Sequence, residues 1–263
     1  MRFHPDPDLE ALLGMVAEAD VVARACFARG VAVRRKADGS PVTDADLACE
    51  AVLLAGLAKR FPQDSIVSEE SGLSGGPGAY RWLVDPIDGT NAFVEGLAHW
   101  GPTLARVDAS GRAVLGATSL PRLSETWWLH GGRAYFGGTE LAPLGNLGDT
   151  PRVVYIPSSL HQGVQLAWPG RARCLGGTAA HLALVARGAA AAVIVGPDWQ
   201  PWDVATGLGL IEAVRGCARR VSDGAPLDVR DDVGAPFIAG NPEAVERLLS
   251  HTFAPIGGPL AHP

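Results

Sequence analysis

The 263-residue sequence predicts an α+β fold passing into α/β, and three observations carry that reading. The first half gives two helical patterns followed by short strands between Gly or Pro turns, as when helices lie on a largely antiparallel sheet. The second half alternates strands with helices, which argues for partly parallel pairing. At about 150 residues per domain the length allows one large domain or two lobes. A soft boundary at Gly145–Asp149 divides lobe 1–147 from lobe 148–263; nothing there resembles a flexible linker, so the two are expected to pack as one rigid unit.

Taken in order, residues 8–28 place Leu9, Leu12, Leu13, Val16, Ala19 and Ala23 at helical spacing. The stretch 31–42 is polar and broken by Gly39 and Pro41, a loop or hairpin. Thr43 caps a second helix that ends before Pro62, with Asp44 and Asp46 at the positive end of its dipole. Strands are expected at 65–68, 81–84, 100–107, 113–118, 126–130 and 133–136. The second lobe reads strand 152–156, helix 158–166, strand 172–175, helix 178–187, strand 190–195, helix 202–214, strands 218–221 and 236–239, and helix 242–253.

Composition excludes several classes. Hydrophobic residues make up 47% and charged residues 19%, too apolar for a disordered chain. A net charge of −6 gives no electrostatic footprint for nucleic acid or an anionic membrane, so a bound anion needs metal ions or backbone dipoles. Cys26, Cys49, Cys174 and Cys217 form no CxxC pair and read as reduced thiols. The N-terminus carries acids where a signal peptide needs bases, and no apolar run nears the ~18 residues of a membrane span. A soluble cytoplasmic protein is expected.

The densest chemical signal is Trp82-Leu83-Val84-Asp85-Pro86-Ile87-Asp88-Gly89-Thr90. Pro86 is expected to stop the strand, so that the chain turns where the two carboxylates emerge and both face one point. Hard divalent cations want several oxygen ligands, and paired metals need a shared carboxylate. Gly89 allows close approach of backbone to ligand, and a helical turn at Thr90 offers free N–H groups to a phosphate. Adjacent Glu69 and Glu70 end an apolar strand, where a metal would relieve their repulsion. Asp46 and Glu50 lie at an acidic helix start, and Asp203 opens a late helix after Trp202.

In this order, a TxxD helix start, a Glu-Glu strand end, DPIDGTNAF and WDVATGLGLIEA resemble the inositol monophosphatase family of lithium-sensitive, magnesium-dependent phosphomonoesterases, over residues 34 to about 221. The resemblance implies a layered αβαβα sandwich of the sugar-phosphatase type, usually a homodimer. It assigns a first Mg²⁺ to Glu69, Asp85 and the Ile87 carbonyl, a second to Asp85, Asp88 and Asp203, and a third, weaker ion to Glu69. Asp46 and Thr90 match the pair that orients the attacking water, Gly89 and Thr90 the phosphate cradle, and Gly177, Thr178 and Ala179 a turn that meets the substrate. The implied reaction is in-line attack of a metal-activated water on a small polyol phosphate, inositol 1-phosphate or similar. On the same basis Asp88→Asn is expected to abolish turnover and spare the fold.

Two departures bear on the substrate. Gly196 stands where inositol-hydrolysing members often carry a glutamate, with Asp198 a nearby substitute. The segment Asn91–Gly101 is somewhat similar to histidinol-phosphatase members, making histidinol phosphate the alternative substrate. A catalytically weak regulatory relative is the further alternative, against which stands the presence of every ligand acid and Thr90. Lys36, His99, His130, His161 and His181 receive no role; His181 reads as a core or surface residue of an apolar helix.

Overall fold

The computed structural model describes residues 6–30, 32–36, 39–148, 153–160, 164–251 and 254–255. Asp149, the start of the strand expected at 152, His161 and the end of the helix expected at 242–253 lie outside them.

Helix α1 (Pro7–Arg29) starts at Asp6, whose side chain accepts the Asp8 N–H at 2.8 Å, and has proline in its first turn. A hairpin of β1 (Val33–Arg35) and β2 (Pro41–Thr43) leads into α2 (Asp44–Arg60). Thr43 and Asp46 close a reciprocal capping box there, which holds Asp46 fully buried at the helix start. Strands β3 (Ser65–Ser68), β4 (Gly72–Gly75), β5 (Arg81–Asp88), β6 (Gly101–Val107), β7 (Ala113–Leu120), β8 (Glu125–His130), β9 (Arg133–Phe136) and β10 (Thr139–Glu140) form one sheet, ordered β10-β9-β8-β7-β6-β5-β3-β4. Only β3 and β5 pair in parallel. The apolar faces of α1 and α2 pack on this sheet through Leu12, Val16, Leu53, Leu57, Trp82, Trp100 and Leu104.

The five-stranded second sheet is ordered β13-β11-β14-β16-β15: β11 (Val154–Tyr155), β13 (Ala172–Arg173), β14 (Ala192–Val195), β15 (Cys217–Arg220) and β16 (Phe237–Gly240). The parallel pairing expected from the alternating pattern is confined to β13-β11-β14. Helices α4 (Thr178–Ala186) and α5 (Pro201–Ala213) lie between the sheets, and α6 (Pro242–His251) covers the outer face. The period-2 alternation of strands places Val193, Val195, Phe237 and Ala239 against α4 and α5, and Ala192, Ile194 and Ile238 against α6. The layers therefore run α, β, α, β, α, as the sequence resemblance implies.

Two expectations are corrected. The described part of 158–166 forms no α-helix: residues 158–160 make a turn and Val164–Gln165 is a short strand, β12, paired with Ala254–Pro255, β17. Pro86 does not end its strand. β5 continues to Asp88 through a register shift between Asp85 and Asp88, where a residue lacking an N–H interrupts the ladder. In a regular strand residues three apart face opposite sides; the irregularity lets Asp85 and Asp88 share one.

A buried acid ties the first helix to this sheet. Asp20 on α1 accepts the Ser119 hydroxyl of β7, and burial raises its pKa to about 6 despite that bond and the nearby Arg24. Between pH 4 and 6 the folded chain then binds more protons at this site than the unfolded chain, so stability falls as pH rises through that window. Asp20→Asn keeps an acceptor for Ser119 and removes the cost of ionisation. Thermal melts should show a higher Tm than wild type at pH 7, with the gap closing by pH 4.

Candidate active site

The first-lobe contributions come from the end of β3, the irregular part of β5 and the turn after it. Gly89 takes the left-handed conformation (φ 84°) that this turn requires and is the N-cap of a five-residue helix, α3 (Thr90–Val94). From the second lobe come the first turns of α4 and α5. Asp203 lies in the first turn of α5 and is fixed by the Gln200 N–H at 2.7 Å.

Asp85, Asp88 and Asp203 each present a carboxylate oxygen, and the three oxygens lie within 4.8 Å of one another. Asp85 and Asp88 are buried. Burial first, then the charge of neighbouring acids, raises all three above the usual carboxylate range. Glu69 lies beside Asp85 and hydrogen-bonds to it, outside the group of three. The Ile87 carbonyl accepts from the Thr90 hydroxyl at 3.2 Å. Such an all-oxygen set suits hard divalent cations, and three gathered carboxylates are what a cation would stabilise in ionised form.

Asp46 reaches this centre through Thr90. Its Oδ1 lies 3.1 Å from the Thr90 hydroxyl, while Oδ2 accepts the Thr43 N–H at 2.8 Å and the Thr43 hydroxyl at 2.6 Å. Lys36, without a role from sequence, bridges Glu69 at 2.7 Å and Glu70 at 2.6 Å. Glu50 is structural: it is buried and accepts from Ser68 and Ser71.

The turn expected to meet substrate does something else as well. Gly177 offers α4 no side-chain cap, and the Asp88 carboxylate from β5 replaces it. It accepts the Thr178 N–H at 3.1 Å and the Ala179 N–H at 2.9 Å. Those amides are committed to Asp88, and Ala179 is fully buried away from the cavity. Gly177 and Thr178 do line it, and Gly177 gives its own N–H to the His99 carbonyl at 2.8 Å.

A cavity of about 580 Å³ opens over the carboxylates, lined also by Gly89, Thr90, Glu95, Cys174, His181 and Gly196. Among the described residues lining it there is no lysine or arginine. Asp198 is exposed and does not line it, so it does not replace the carboxylate missing at Gly196. His99 does not line it, although its carbonyl accepts the Gly177 N–H, and His130 lies 3.8 Å from Asp6 and does not line it either. The sequence reading missed His181 as a lining residue: a histidine on an apolar helix looks like core until the helix end is seen to face a cavity.

No helix among the described residues is long and apolar enough to cross a membrane. Residues 5–253 match the model of the inositol monophosphatase family, whose members are phosphatases acting on phosphoric monoesters. The chain is 39% identical over 156 residues to a Streptomyces griseus protein named glucose-1-phosphate thymidylyltransferase, an alignment covering 59% of this chain and 58% of that one. It is 30% identical over 222 residues to a histidinol-phosphatase of Chlorobaculum parvum, covering 80% and 85%. The Thermotoga maritima IMPase structure superposes with a TM-score of 0.80 at 23% identity, covering 93% of this chain and 96% of that one. With the family model matched almost from end to end, the chain belongs to the inositol monophosphatase family.

Proposed function

We propose that the protein is a metal-dependent phosphomonoesterase acting on the phosphate ester of a small neutral or cationic alcohol. The observation that carries this reading is the group Asp85, Asp88 and Asp203 beside the Asp46–Thr90 pair, under one cavity with no lysine or arginine among its described lining residues. The residues that would hold Mg²⁺, two to three ions, are Glu69, Asp85, the Ile87 carbonyl, Asp88 and Asp203. Bound there, the ions supply Lewis acidity and neutralise the phosphate dianion. The backbone N–H groups of Gly89 and Thr90 orient phosphate oxygens. Asp46, anchored at Oδ2 by Thr43, accepts a proton at Oδ1 through the Thr90 hydroxyl, which lines up the attacking water.

Inositol 1-phosphate or a similar polyol phosphate is the first substrate reading. Histidinol phosphate is the second, favoured by Glu95 on the cavity wall, able to pair with an ammonium group, and by the relative of that name. Beyond the four carboxylates that would hold the ions, Glu95 is the uncommitted charge among the described lining residues, and no lysine or arginine stands among them to receive a second anionic group on the substrate. We carry the homodimer, lithium inhibition and the division at residue 147 as parts of this reading. Four free cysteines favour a reducing compartment, hence the cytoplasm.

Phosphate release is measured with and without Mg²⁺ for inositol 1-phosphate, histidinol phosphate, adenosine 3′,5′-bisphosphate and fructose 1,6-bisphosphate. Magnesium-dependent release from one of the first two, at least about tenfold above both bisphosphates, is expected; release from none sinks the reading. Thr90→Val keeps the side-chain shape and removes the hydroxyl. Its kcat should fall by about 10²–10⁴ with KM little changed, the range for a lost proton-transfer group.

A further inference from the structure

The cavity holds one ring whose hydrogen-bonding state is fixed by the fold. His181 lies one turn along α4 from Thr178, whose amide holds Asp88, and it lines the cavity beside the phosphate site. The imidazole stacks on Tyr155, ring centroids 4.9 Å apart and 13° between planes. Its Nε2 accepts the Leu175 N–H at 2.9 Å. A neutral imidazole with Nε2 as acceptor carries its proton on Nδ1. Burial, with the His99 ring nearby, lowers the His181 pKa to about 4, which keeps the ring neutral at pH 7 and leaves the tautomer to the Leu175 N–H. Among the interactions of the described residues Nδ1–H finds no protein acceptor, and it is not one of the sealed, unpartnered polar atoms of the core, so it is left open to the cavity that His181 lines.

The opposite feature is missing from the cavity wall. Gly196 contributes no carboxylate, and Asp198 does not reach in. The described wall therefore carries the His181 ring as a donor and no carboxylate at Gly196.

We propose that His181 is a specificity-determining residue whose Nδ1–H donates to an acceptor on the alcohol part of the ester, a hydroxyl oxygen or an unprotonated ring nitrogen. This rests on the phosphomonoesterase reading above. The site selects small alcohols that carry such an acceptor over plain aryl or alkyl phosphates.

Two variants separate this role from a merely structural one. In His181→Gln the amide oxygen can still take the Leu175 N–H, but the donor at the Nδ1 position is gone. In His181→Asn the amide nitrogen stands near Nδ1 and keeps the donor, while the bond to Leu175 is lost. Magnesium-dependent kcat/KM is measured for both on phenyl phosphate and on whichever of inositol 1-phosphate and histidinol phosphate the wild type prefers. Gln should lose about tenfold on the acceptor-bearing ester, the worth of one hydrogen bond, and stay within about twofold on phenyl phosphate. Asn should stay within about threefold on both. Equal losses on the two esters, no loss in Gln, or a larger selective loss in Asn than in Gln overturns the assignment. Wild-type inactivity on every ester instead removes the phosphomonoesterase reading beneath it. Imidazole ¹⁵N NMR of the wild type gives a readout apart from turnover: Nδ1 protonated and Nε2 bare from pH 6 to 8, where the reverse tautomer refutes the proposal.

Discussion

Asp85→Asn lowers kcat by about a thousandfold or more and leaves the fold at least as stable as wild type. Asp85 is the central acid of the group: it hydrogen-bonds to both Glu69 and Asp203 and stands within 4.8 Å of Asp88 through one oxygen. On the proposed reading, loss of its charge removes the ligand shared between metal positions, and Lewis-acid stabilisation is worth several kcal/mol of barrier. The fold should not suffer. The Asn carbonyl can still accept the Ile87 N–H that Asp85 holds at 2.9 Å, and its amide can donate to Glu69 or Asp203. A buried carboxyl whose ionisation is disfavoured is replaced by a neutral group. The check is a melt with and without Mg²⁺. Saturating metal should raise the wild-type Tm by about 5 °C or more, since a ligand at 100 times its Kd adds about 2.7 kcal/mol. The variant should show little shift; near-normal turnover, or a full metal-induced shift, would refute the shared-ligand role.

Asp88→Asn is no longer the cleaner test it looks from sequence. Both Asp88 oxygens take backbone N–H groups of α4, and an asparagine has one acceptor oxygen to offer. Its NH₂ would face an amide N–H, so this variant should lose stability together with turnover.

What was legible in the sequence was whatever local chemistry decides. The capped start of α2, the apolar stripe of α1 and the Gly-Thr turn after β5 are written in neighbouring residues. What was hidden depends on partners distant in the chain. Pro86 in isolation says stop, yet pairing with β6 carries β5 through it as a bulge, and that bulge aims two acids the same way. The absence of a cap at Gly177 looks like a weak helix start until Asp88, 89 residues earlier, is seen to supply it. Lys36 receives no role from sequence because its partners Glu69 and Glu70 lie far off in the chain. His181 is hidden for the same reason: only the packing of α4 against β11 and the Leu175 loop fixes its tautomer.

Gly177→Ala is the second change expected to destroy activity, although it touches no reacting group. Backbone conformation is not the obstacle: Gly177 has φ −64°, which alanine adopts freely. Space is. A Cβ at Gly177 would lie 1.9 Å from Asp88 Oδ2, 2.7 Å from its Cγ and 3.0 Å from its carbonyl oxygen. Asp88 cannot swing away without giving up the Thr178 and Ala179 amides. The backbone cannot retreat easily either, because Gly177 N–H is held by the His99 carbonyl and its Cα faces Gly89 across a gap with no room for a Cβ there. Relief requires α4 and the β5 turn to separate, which moves Asp88 out of register with Asp85 and Asp203. Overpacking of this kind costs about 1–3 kcal/mol, or roughly 5 °C in Tm for a chain of this size. Misplacing a ligand by about 1 Å costs on the order of a hundredfold in turnover. Gly14→Ala, on the exposed face of α1 with nothing within 4 Å, is the matched control and should raise Tm slightly. A Gly177→Ala enzyme with wild-type Tm and kcat would mean that Asp88 does not hold α4 in place.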